Sequence, residues 1–392
     1  MRATMAFFKL VRLDMLQETP FAVLENASGS LESILKTVND QAARAADYIA
    51  PTSALQVQTI DGSTNVILEA EHGQPTQSFK ANDVAFTQLA ENCNIDVRTA
   101  RRLRDNENYS QEFDALLNKI FQNEPKNKML RTFDGEKPIL RAVVSDKYKT
   151  FDNSDLIQAA LPQLLGSEAD WHVVNGSVTD QKMAIRLKSR VQTGEAAVGD
   201  LMANGLCLSN SETGNGSVSV AQMYWTLVCL NGMQTANKSR STHVTGSRGS
   251  DHWHLLTEET KDLDNRALAA RITDIVGSFA SRESFDSVLE QMANAHNDVI
   301  ENGLLNPTAV IDAVVKVLAI PKKNSESLMA GLMSTVQQDG YAGQPMSRAT
   351  IVNAVTAVAN TVEADKVDDW QLAGSTILDL PRNQWEVIAR AA

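Results

Sequence analysis

LCLSNSETGNGSVSVAQMYWTLVCL, residues 206–230, decides the class of fold. Apolar and aromatic residues fill both flanks, while SNSETGNGS between them is short-chained and polar. That pattern predicts two strands joined by a turn at Gly214 and Gly216. The same texture runs upstream from Met129 through LRTFD, ILRAVVSDKY, DWHVVNGSV and KMAIRLKS. One helix interrupts it, NSDLIQAALPQLLG, with Asn153 or Ser154 as its cap and Gly166 at its close. Residues 128–256 therefore read as an α+β core, a central and largely antiparallel sheet with an inserted helix. VQTGEAAVGDLMANG, residues 191–205, reads as a surface excursion before the last strands.

The flanks are more helical. In residues 1–79, apolar positions from Leu31 to Ile49 recur every three or four residues behind Ser30, a suitable N-cap. LQVQTIDG and TNVILEAE then alternate around Asp61-Gly62, the signature of a tight hairpin. Residues 80–127 open with two short helices whose arginines, Arg98, Arg101, Arg102 and Arg104, fall on the wet side. The pair has the outline of a DNA-reading corner, but such pairs more often serve packing alone. Residues 257–392 form a helical region, with Asn306-Pro307-Thr308 as one clear helix start.

The 392 residues are 43 % hydrophobic and 21 % charged, globular values for a chain long enough for more than one core. No apolar run is long enough for a membrane span, and Lys9, Arg12 and Asp14 interrupt the start before a signal core could form. The expectation is a cytoplasmic protein with no membrane partner. Cys93, Cys207 and Cys229 lie far apart and form neither a disulfide framework nor a zinc ribbon. The net charge of −12 divides unevenly: residues 1–97 carry −6, residues 98–250 carry +3, and residues 251–392 carry −9. A mildly basic centre permits a phosphate-binding surface without requiring one.

Three sets of residues carry possible chemistry. Arg141, Lys147, Lys149, Lys182, Arg186 and Lys188 lie on or beside predicted strands, several at intervals of two. With Tyr148 among them they describe a face that neutralises phosphates and stacks bases, unless it is only a solvated sheet surface. Ser209, Asn210, Glu212, Gly214 and Gly216 make a turn able to expose backbone N–H groups as a ligand loop. It has neither the phosphate-loop nor the dinucleotide fingerprint, so no cofactor is expected. His243, Asp251, His252 and His254 are dense but lack metal-ligand spacing, and no metal site is assigned. Asp146, Asp152, Asp155 and Glu212 are the carboxylates a metal-dependent nuclease would need, although Asp152 and Asp155 serve equally as helix caps.

Four blocks together resemble the domain of unknown function 932 family, nearest its phage and plasmid-like branch. Ser145, Asp146, Tyr148 and Asn153 match in ILRAVVSDKYKTFDNSDLI. Ser209, Asn210, Glu212, Gly214, Gly216, Cys229, Asn231 and Gly232 match in the segment that follows from Leu206. His243 matches in THVTG, and Asn353, Ala354 and Thr356 match in IVNAVTAVAN. The resemblance covers residues 80 to 375 and implies a mobile-element setting without assigning an activity. The reading that results is a non-catalytic single-stranded DNA binding or annealing accessory, with a homo-oligomer as its expected form of assembly. A host-interaction protein and a metal-dependent nuclease are the alternatives.

Overall fold

The computed structural model describes residues 31–69, 76–227, 231–241 and 256–392. After helix α1 (Leu31–Arg44) come strands β1 (Ala45–Pro51), β2 (Leu55–Ile60), β3 (Ser63–Leu68) and β4 (Gln77–Ala81). Helices α2 (Asp83–Asn92), α3 (Val97–Arg104) and α4 (Ser110–Asn123) lead to β5 (Asn127–Phe133) and β6 (Ile139–Ser145). These six strands form one sheet in the order β1-β5-β6-β4-β3-β2, antiparallel except where β4 runs parallel to β6. The β2–β3 hairpin turns at Asp61 and Gly62, both with positive φ, as the dipeptide predicts.

Alternation places Leu55, Val57, Val66 and Phe79 on one face, where Phe86, Leu89, Phe113, Leu117 and Phe121 from α2 and α4 bury them. The edge strand β2 is closed off by α4. Asn118 exchanges hydrogen bonds with the N–H and C=O of Val57 (2.7 and 2.9 Å), and Asp114 accepts from the N–H of Thr59. Side chains here do for a strand edge what another strand would otherwise do.

Helix α5 (Asn153–Gly166) crosses to a second sheet of β7 (Trp171–Val178), β8 (Met183–Ala197), β9 (Asp200–Asn210), β10 (Val218–Thr226) and β11 (Asn231–Ser241). This sheet is a fully antiparallel meander, each strand pairing with the next. Met183, Ile185, Leu187, Leu206, Leu208, Val218 and Val220 face α1, α5 and α6 (Glu258–Phe279). Its other side packs against the C-terminal helices α7 (Arg282–Asn297), α8 (Pro307–Val317), α9 (Ser325–Thr335), α10 (Arg348–Ala357), α11 (Val367–Leu378) and α12 (Arg382–Ala389). All nine residues of β10 are buried, as a strand covered on both faces requires.

The α+β class and the helical C-terminal region stand as expected. The sheet arrangement differs: β5 and β6 join the N-terminal strands, so residues 128–256 contribute to two sheets and α5 links them rather than interrupting one. Residues 191–205 are a second correction. They are not a loop but the long arms of the β8–β9 hairpin, with register shifts after Lys188 and Glu195. The arms persist because α7 packs on them: Leu289 and Phe285 lie against Gly194, and His296 hydrogen-bonds the buried Asp200 at 2.8 Å. The turn at residues 211–217 closes β9 onto β10, with Gly214 at φ +81°. Ser30, Cys229, His243, Asp251, His252 and His254 lie outside the described residues.

Candidate functional site

Between the two sheets lies a small cleft lined by Gln41, Asn82, Phe133, Arg141, Asn153, Thr179, Asp180, Gln181, Lys182, Glu212 and Thr213. It gathers the end of α1, the start of α2, the β5–β6 edge, the first residue of α5, and the two turns at the same end of the second sheet. Centres of water-sized molecules have about 20 Å³ open to them.

Arg141 reaches this cleft because of a β-bulge. Arg131 pairs with Ala142 and Thr132 with Leu140, which leaves Arg141 as the extra residue of β6 and turns it to the same side as Ala142. Its side chain is buried, the residue being only 3 % exposed, and the ring of Phe133 lies 4.5 Å from the guanidinium carbon. Nη1 donates to Glu212 Oε2 in a close ion pair. Nε and Nη2 are buried with no partner. Those two N–H groups form the side-on edge of the guanidinium, the edge that grips both oxygens of a carboxylate or phosphate.

Glu212 is held from both ends, since its Oε1 accepts the backbone N–H of Asn153 at 2.6 Å. Burial and the neighbouring Asp152 push the Glu212 carboxyl upward, and Arg141 pulls it back. Asn153 is 5 % exposed, and its Oδ1 has no donor. Asp152 caps α5, in a capping box completed by Asp155, whose carboxylate accepts the Asp152 N–H at 2.8 Å. The cap is Asp152, then, and not Asn153 or Ser154. Burial raises Asp155 to about 6 against that hydrogen bond.

Behind the cleft stands Arg131, which sequence reasoning did not single out. It is 1 % exposed and donates to Asp47 on β1 (3.0 Å), Asp152 (2.7 Å) and the carbonyl of Glu212 (2.9 Å). The signal was present, an arginine inside the apolar run MLRTF, where a charge survives burial only if paired. Gln88 of α2 also crosses to the second sheet, donating to the Thr213 carbonyl at 2.7 Å, and Tyr148 donates to the Ser211 carbonyl at 3.0 Å.

The seven residues expected on an open basic face are not together on one. Arg141, Tyr148, Lys149 and Arg186 are buried, and Lys147, Lys182 and Lys188 are half-buried. Arg186 and Lys188 do share a face of β8, but α11 packs over it: Asp368 takes both Arg186 and Lys182 (2.9 Å to the latter), and Gln371 accepts from Arg186 at 3.0 Å. Lys149 pairs with Asp264 on α6. An interval of two predicts a common face, not whether a distant helix covers it.

Of the proposed ligand loop, Glu212 alone lines the cleft. Asn210 is tied to the Phe151 carbonyl at 2.9 Å, Ser209 pairs within the sheet, and Gly214 and Gly216 shape the turn, a Cβ at either meeting Val144 or Ser211 at 3.1 Å. Among the carboxylates considered for metal chemistry, Asp152, Asp155 and Glu212 do converge, but around arginines. Among the described residues no three His, Cys, Asp or Glu side chains are grouped as metal ligands would be, and no helix is long and apolar enough to cross a membrane.

Residues 141–264 match the sequence model of the family described as Domain of unknown function (DUF932). That stretch, 124 of the 392 residues, is similar to the DUF932 domain. The DUF932 match opens on Arg141 itself and takes in Asn153, the Thr179–Lys182 turn, Glu212 and Thr213, so most of the cleft wall belongs to it. Gln41, Asn82 and Phe133, from the N-terminal sheet and its helices, complete the wall from outside the DUF932 match. No curated protein and no solved structure matches the chain.

Proposed function

We propose that this protein is a binding protein whose ligand places an oxyanion in the cleft between the two sheets, against Arg141. The observation that carries this reading is the unpartnered Nε and Nη2 of a guanidinium that is 3 % exposed. A buried donor without an acceptor costs about 1–3 kcal/mol, and more when charged, so an arginine that lines a polar cleft and keeps two such donors is suited to an incoming acceptor. A ligand bound only by the folded state raises its melting temperature in proportion to ln(1 + [L]/Kd). Small oxyanions such as acetate, phosphate and sulfate, titrated to tens of millimolar against a chloride control, are expected to raise the melting temperature of the wild type in at least one case. Arg141→Lys keeps the charge but loses the side-on fork, and is expected to abolish that rise. An equal rise in wild type and variant would place the ligand elsewhere.

A second reading, single-stranded DNA binding, is favoured by a different element from the one its sequence pattern suggested. Helices α2 and α3 do pack as a corner, through Ala90, Ile95, Ala100 and Leu103. Arg98 and Arg102 stand exposed on α3, whereas Arg101 and Arg104 are engaged by Asp83 and Asp105. On this reading labelled single strands bind at low salt, lose affinity steeply as salt rises, and bind more weakly to an Arg98→Ala, Arg102→Ala double variant. No affinity at low salt removes the reading and leaves a protein partner as the macromolecular alternative.

A further inference from the structure

We infer that the ligand group of the cleft is a carboxylate whose adjacent carbon bears a hydrogen-bond donor, the chemistry of α-hydroxy and α-amino acids. This rests on the oxyanion reading above and narrows it. Three observations do the narrowing.

The first is the shape of the Arg141 fork. With the Phe133 ring 4.5 Å from the guanidinium carbon and Nη1 engaged by Glu212, the edge left without an acceptor is the one along Nε and Nη2. An in-plane, two-point approach suits a planar carboxylate.

The second is Asn153. Its Oδ1 is a buried acceptor without a donor in a residue that lines the same cleft, and Glu212 ties the two residues together, Arg141 through Oε2 and the Asn153 N–H through Oε1. A bare carboxylate offers Asn153 Oδ1 nothing. A hydroxyl or ammonium on the next carbon meets it while the carboxylate occupies the fork, and Asp180 in the same wall favours a positively charged donor further.

The third is charge. Arg141, Arg131, Lys182 and Arg186 face Glu212, Asp47, Asp152, Asp180 and Asp368, with Asp155 beside them. Carboxylates already outnumber cations. A phosphate or sulfate would bring two further negative charges into a region of low solvent access, whereas a monoanion or zwitterion brings one or none. The free space of about 20 Å³ compares with the roughly 10–15 Å³ one water needs, which is room for one or two water-sized groups with the remainder of the molecule outside.

The test compares acetate, glycolate, glycine, sulfate and methyl phosphate on the full chain, by thermal shift and by ligand-observed NMR. Glycolate or glycine is expected to bind about tenfold more tightly than acetate, the worth of one well-placed hydrogen bond. Glycine over glycolate would assign the donor as an ammonium, and the reverse a hydroxyl. Asn153→Ala is expected to bring glycolate and glycine down to the acetate level. Sulfate or methyl phosphate binding as tightly as glycolate and glycine, or acetate binding equally well, overturns this inference and leaves the oxyanion reading standing. If none of the five binds, both fall. The wild-type series decides the matter even if the Asn153 variant proves unstable.

Discussion

Replacing Arg131 by Met is expected to cost about 3–5 kcal/mol of folding stability, the usual penalty for stranding one half of a buried ion pair. The side chain is 1 % exposed and serves three acceptors on three different elements: Asp47 on β1, Asp152 at the start of α5, and the Glu212 carbonyl in the β9–β10 turn. Burial works against its charge, but Asp152 and Asp47 more than compensate, and the guanidinium is held protonated. Without it two carboxylates face each other across a junction that excludes much of the water. Urea denaturation followed by tryptophan fluorescence measures the loss. Asp47→Asn is expected to cost much less, because Asp47 is partly exposed and Asp152 still satisfies the arginine. Near-equal stability of Arg131→Met and wild type would show that the two sheets are held together by something other than this cation.

The second large effect is expected at Asp368. Its carboxylate binds Arg186, Lys182 and the amide of Gln234 (2.8 Å), and so pins α11 onto the second sheet. Asp368→Asn leaves the buried Arg186 and the half-buried Lys182 without their counter-charge, again a loss of about 3–5 kcal/mol. The pH dependence has a definite sign. Burial alone would raise the Asp368 carboxyl, but Arg186 and Lys182 hold it down at about 2, against 3.8 for the free side chain. A carboxyl depressed in the folded state adds stability above its unfolded pKa and loses it as pH falls through the folded one. The difference in urea midpoint between wild type and Asp368→Asn is therefore expected to be full above pH 4 and to narrow between pH 4 and pH 2. A difference that does not change across that window would mean that the aspartate is not acting through its charge.

Local signals were legible in the chain, and they held where local chemistry alone decides the outcome. Asp61-Gly62 specifies its hairpin because both residues accept positive φ. The polar turn around Gly214 joins two apolar strands, and Asn306 caps the helix that Pro307 begins. The cleft was legible only in pieces. Arg141, Asn153 and Glu212 each stood out, Arg141 as a member of a basic face, Asn153 as a helix cap and Glu212 as a ligand-loop and nuclease carboxylate, the last two also through family resemblance, but nothing in their spacing brings together residues 59 and 71 positions apart. The bulge at Arg141 is fixed by its pairing with β5 and has no local marker. Likewise the spacing of Arg186 and Lys188 describes their strand correctly and says nothing of Asp368, which arrives from the far end of the chain to engage Arg186 and Lys182.

The pairing of β1 with β5 has a consequence in time. The second sheet is built from neighbours and can zip as it emerges, but Pro51 pairs with Asn127, 76 residues later. At the roughly 5–20 residues per second of synthesis, β1 waits on the order of 4–15 s for its partner. During that interval its hydrogen-bonding edge is open to any strand nearby, including the same strand of another nascent chain. Asp47 is the third of the seven residues of β1, and a charge there discourages mispairing in the way that charged residues guard permanent edges. The aspartate that later receives Arg131 thus doubles as a gatekeeper while the ribosome is still at work.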